Sequence, residues 1–200
     1  MNSFLRDAAK AIRNNKHEVA GDGSILIPSA HAYIGGFFRT RYAPPGGEFG
    51  PMHVSSNRVV GQGLNKILNI LGGHATNAPL FLAPFTGNVA PADGWTAATY
   101  PTVATEFTAY TSGTRLPWTT APTTTKQLTN AAALAAATLT FSAGGPYAIR
   151  GCALVEGAAK GATTGALIVA SRFDADLTGM TAGGKLAQEY AIGALDESDA

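Results

Sequence analysis

From Gly23 onward the sequence is a succession of short apolar runs, each closed by Gly, Pro, Asn or Thr, and such punctuation leaves little room for helices. The runs predict strands at 24–28, 32–42, 51–59, 79–85, 103–111, 123–129, 136–142, 147–155, 165–173 and 185–195. One stretch departs from the pattern. Between Gln62 and Leu71 the apolar residues Leu64, Ile67, Leu68 and Leu71 recur at helical spacing, and Gly72-Gly73 ends the run, which predicts a short helix packed on the sheets. The fold expected is all-β, a β-sandwich or jelly roll with one short internal helix. Helix remains an alternative for Ala131–Ala137, where alanine favours it, and for Lys185–Leu195, where Leu186, Tyr190 and Leu195 fit neither period.

The first residues follow another rule. Phe4, Leu5, Ala8, Ala9, Ala11 and Ile12 fall on one side of a helical wheel, and Ser3 stands where an N-cap belongs. The polar run Asn14–Glu18 and then Gly21-Asp22-Gly23 stop that helix. The organisation expected is an N-terminal helical arm and linker over 1–23 and one β-sandwich domain over 24–200, since 200 residues hold one sizeable core. Phe4, Leu5, Ala8 and Ile12 are the arm's candidate contacts with another subunit.

Charge narrows the choice of partner. Only 14% of residues are charged, against roughly 25% in ordinary soluble chains. Such a surface suits a protein that covers itself with neighbours. The formal net charge is +1 with the cations scattered, so nucleic acid is not the expected ligand. The segment Met1–Asn14 carries Arg6, Asp7, Lys10 and Arg13, which is unlike a secretory leader. No run approaches the ~18–20 apolar residues of a membrane span, so no membrane partner is expected. The lone cysteine, Cys152, lies in an apolar run and reads as core.

No motif carries a convincing chemistry. Gly179-Met-Thr-Ala-Gly183-Gly184-Lys185 has the spacing of a phosphate loop, but Leu186 stands where a hydroxyl should meet magnesium. Gly157, Gly161 and Gly165 around Lys160 read as a hairpin loop. His17, His31, His53 and His74 are too dispersed for metal-ligand spacing. Glu48, Asp93, Glu106, Glu156, Asp174 and Asp176 can pair only through folding, as glycoside hydrolysis would require. Trp95 and Trp118, the two tryptophans, are too few to line a sugar cleft. The expectation is a non-enzymatic protein without metal or cofactor.

The stretch Thr105-Glu-Phe-Thr-Ala-Tyr110, then Thr114-Arg115-Leu-Pro117-Trp118, then Ala137–Phe141, Ile149–Val155 and Lys160-Gly161-Ala-Thr-Thr164-Gly165-Ala-Leu167 resembles a family of small tailed-phage virion structural proteins. Val60–Leu68 is similar to the helix before their first central strand, and the resemblance covers roughly 57–173. It departs in its longer N-terminus, at Gly161-Ala162 where Ser-Gly is usual, and in a C-terminal strand richer in small residues. It implies a capsid decoration, or cement, protein made in the host cytoplasm. Such a protein would sit on the virion's outer capsid as a homotrimer and contact the major capsid protein. Phe107, Tyr110 and Trp118 are its expected core or contact aromatics. The competing expectation is a tail- or fibre-associated module that binds or hydrolyses a host surface glycan.

Overall fold

A computed structural model describes residues 18–19, 25–26, 33–142 and 144–195. The chain divides into two compact units, 1–34 with 194–200, and 35–193. In the first, β1 (Glu18–Val19) and β2 (Ile25–Leu26) pair antiparallel, Glu18 opposite Leu26. The arm residues Phe4, Leu5, Ala8 and Ile12 lie outside the described residues.

The remaining elements are β3 (Tyr33–Ala43), β4 (His53–Ser56), β5 (Arg58–Val59), α1 (Gly61–Leu71), β6 (Leu80–Phe85), α2 (Tyr100–Val103), β7 (Leu116–Pro117) and β8 (Gln127–Thr129). A 3-10 turn at Ala131–Ala133 leads to β9 (Thr138–Thr140), β10 (Tyr147–Glu156), β11 (Leu167–Met180) and β12 (Lys185–Leu195). The protein is mostly β, with two five-stranded sheets. One has the order β5-β11-β10-β6-β7; the other has the order β4-β3-β12-β8, with β9 also pairing β12. The chain changes sheets at Asn57, the single residue between β4 and β5. Its backbone N–H donates to Gly36 O at 3.2 Å and its side-chain amide to the Tyr190 hydroxyl at 3.2 Å. Strands that switch sheets at such corners are a regular device of β architectures.

Alternation along β10 distributes the core. Successive side chains of a strand point to opposite faces. Cys152 and Leu154 join one cluster with Phe38, Leu139, Leu186 and Tyr190 of the other sheet. Ala153 and Val155 join a second cluster with Trp95, Ala97, Tyr100 and Ala104. With both faces covered, β10 reads from Gly151 to Val155 as an unbroken apolar run. Each buried Leu or Val side chain is worth about 1.5–3 kcal/mol.

The expected strand over 103–111 does not form. α2 opens there with Pro101 in its first turn, Thr105 takes φ +54, and only isolated bridges at Glu106 and Tyr110 remain. A β-branched residue in the left-handed region breaks a strand. Strands are also shorter than expected at β8 and β9, and longer at β11. The segment Lys185–Leu195 is strand, and Ala131–Ala137 holds only the 3-10 turn. α1 packs on β11 through Gly63, where a Cβ would lie 2.0 Å from Ile168 O. Only a residue without a side chain permits that approach. The sequence placed the leucines of α1 against the sheets, yet Leu64, Leu68 and Leu71 are exposed.

Candidate functional site

The segment from Glu106 to Arg115 and the loop between β10 and β11 converge on one ionic clamp. Arg115, just before β7, gives Glu106 a bidentate pair, Nε to Oε1 at 2.8 Å and Nη2 to Oε2 at 2.6 Å. The same guanidinium donates to the carbonyls of Gly157 at 3.1 Å and Ala162 at 3.0 Å, while its backbone N–H donates to Ala158 O at 2.7 Å. Only 1% of the Arg115 side chain and 2% of Glu106 reach solvent. Burial works to lower the Arg115 pKa, but the bond to Glu106 and its charge outweigh that and hold it above the ordinary value.

Lys160 closes the clamp from the other side. Its ammonium donates to Thr108 O at 3.0 Å and Tyr110 O at 2.7 Å, and stands 3.6 Å from the Tyr110 ring centroid. The loop between β10 and β11 reaches these partners because Gly157, Gly161 and Gly165 take φ of +90, +70 and +90. The glycines seat a structural loop on the 106–115 segment; their amides line no helix N-terminus.

Chemically the clamp is closed. Four of the guanidinium donors are bound within the chain, so its charge is directed at Glu106 and backbone rather than at a ligand. Other carboxylates are engaged likewise: Glu156 with Lys66 at 2.8 Å, and Asp176 with Arg150 at 2.9 Å and with Arg172. The phosphate-loop lookalike at 179–186 is the turn from β11 into β12, with Gly179 and Gly183 at positive φ. Among the described residues no three His, Cys, Asp or Glu side chains gather as a metal site. Burial pushes the Cys152 thiol far above its ordinary value.

The expected aromatics separate. Phe107 and Tyr110 are buried in the cluster that also draws residues from both sheets. Trp118 is half-buried, donates Nε1–H to Tyr190 O at 3.0 Å, and lines a cavity of about 510 Å³. Ile67, Ile70, Leu80, Leu128 and Ile192 share that wall. With Leu64, Leu68 and Leu71 exposed on the same helix, the cavity and α1 make the second notable surface. Sequence reasoning missed the pairing of Glu106 with Arg115. The signal was present: between Asp93 and Lys126 these two are the only charged residues.

No protein family, curated protein or solved structure matches this chain.

Proposed function

We propose that this chain is a non-enzymatic structural protein of a tailed-phage virion, a capsid decoration protein that binds the outer surface of the major capsid protein lattice and stabilises the head. The observation that carries this reading is the clamp: Glu106, Tyr110, Arg115 and Lys160, all within the motifs of the resemblance, hold one loop to one segment. A pattern used to brace a scaffold fits a subunit whose work is binding. A pattern used for catalysis would leave charges free for substrate.

Three further features support it. The shared cluster of Phe38 and Tyr190 with Leu82 and Leu154 fits two sheets packed as a sandwich. A charged fraction of 14% suits a surface covered by neighbours. The apolar arm pattern at Phe4, Leu5, Ala8 and Ile12 suits attachment to an adjoining subunit, either a second copy or the capsid protein. Three copies form the decorating unit in this reading.

The test adds purified protein to undecorated heads and follows co-sedimentation and gold labelling. Label over the whole head, lost when residues 1–20 are deleted from a chain that keeps its circular dichroism, is the expected result. Label confined to tails, or release of sugar from host surface glycan, overturns the reading in favour of a tail-associated module.

A further inference from the structure

We infer that the core of the second unit binds water at an internal site beside Cys152, held by the side-chain amide of Gln188 and the hydroxyl of Tyr110. β12 carries Gln188 into that core. Successive residues of a strand alternate faces, so Gln188 shares its face with Leu186 and Tyr190, which pack in the cluster that holds Phe38, Cys152 and Leu154. Glu189 points the other way, to Arg39 and Thr129. The Gln188 backbone is partnered: its N–H donates to Ala137 O at 3.1 Å and its carbonyl accepts from Asn130 Nδ2 at 3.2 Å. Its side chain is not. Gln188 is fully buried, yet neither Nε2 nor Oε1 has a hydrogen-bond partner within the chain. Roughly 90% or more of buried polar groups have one, from protein or from ordered water, because a dry amide forfeits the bonds it made in solvent.

A second orphan belongs to the same cluster. Tyr110 is buried there with its hydroxyl unpartnered. Cys152 lies within reach of both groups: burial raises its thiol, and the Gln188 amide offsets part of that rise, while burial raises the Tyr110 phenol, followed by the charges of Glu106 and Cys152. A thiol is a weak donor and a weak acceptor, so it satisfies neither neighbour. Charge identifies the occupant. The groups left over are neutral, and the buried ions of this region, Glu106 and Arg115, are bound to each other. An ion would therefore enter without a counter-charge, whereas water both donates and accepts and carries none. A buried water makes about three hydrogen bonds, and Nε2, Oε1 and the hydroxyl supply that number. Bound there, water joins β12 of one sheet to the 106–115 segment beside β10 of the other.

The experiment uses the full-length, isotope-labelled protein in ordinary water. Nuclear magnetic resonance follows transfer from the water signal to the Gln188 side-chain amide protons, with the rotating-frame sign separating a bound water from proton exchange. The wild type should show bound-water cross-peaks at that amide, and Gln188→Met, which keeps the length of the side chain and removes its polar atoms, should lose them. Stability gives a second reading. If the amide and the hydroxyl are dry, Gln188→Met and Tyr110→Phe each relieve an unsatisfied group and shift the folding equilibrium toward the native state by about tenfold or more. If they hold water, neither variant gains, and Tyr110→Phe loses stability because its bond to the water is gone. Absence of bound-water cross-peaks in the wild type overturns the inference, as does a tenfold gain in either variant. Should Gln188→Met fail to fold, the wild-type cross-peaks and the Tyr110→Phe stability decide between the same two outcomes.

Discussion

Arg115 ties the segment from Glu106 to the loop between β10 and β11. Replacing it with Met would leave the Glu106 carboxylate buried without its cation and two carbonyls without donors. Breaking a buried pair by removing one partner costs about 3–5 kcal/mol, so Arg115→Met should lower the unfolding free energy in urea by about that much. Combined with Glu106→Leu, most of the loss should return, because an apolar pair carries no stranded charge. If the double variant is no better than Arg115→Met, the clamp holds through its carbonyl bonds instead. That these two residues matter was readable from their isolation as charges. That they meet was not, because a pairing nine residues apart follows from the turn between them, and Thr105 at φ +54 sets a path no propensity predicts.

Among the elements, β12 shows how side chains finish a sheet. β9 pairs Lys185–Ala187 and β8 pairs Ala191–Gly193, which leaves a gap between. Asn130 fills it: its Nδ2 donates to Gln188 O at 3.2 Å and its Oδ1 accepts from Tyr190 N at 2.8 Å. Asn130 is fully buried, so Asn130→Ala would strand two backbone groups away from water, a loss of about 2–4 kcal/mol. Hydrogen exchange should show the Tyr190 amide opening faster, and an unchanged rate would mean water takes the vacated place. β6 and β10 were legible because Leu80–Phe85 and Gly151–Val155 are unbroken apolar runs. β12 stayed ambiguous because Leu186 through Tyr190 are buried on both faces, and alternation vanishes when no face is wet. For α1, periodicity revealed the helix but not which side meets the sheet; that is decided by Gly63, whose missing side chain carries no hydropathy signal.

For the molecule as a whole, pH dependence follows from the groups it buries. Burial raises the phenols of Tyr100, Tyr110 and Tyr190 and the thiol of Cys152 well above their ordinary values. In the unfolded chain they ionise near their ordinary values, about 8.5 for the thiol and 10 for the phenols, while the native state keeps the protons. Their contribution is therefore complete below those values and declines as pH rises toward the native ones, by about 1.4 kcal/mol per pH unit for each group. Urea titrations from pH 8 to 11 should show stability falling, more steeply above about pH 10; a flat profile would mean these side chains are wetter than the packing indicates. The same architecture has a consequence in time. β3 lies beside β12, and the Arg39–Glu189 bond between them spans 150 residues of sequence. A ribosome adding about 5–20 residues per second makes β3 wait roughly 8–30 s for that neighbour, its edge open meanwhile to the strands of other nascent chains.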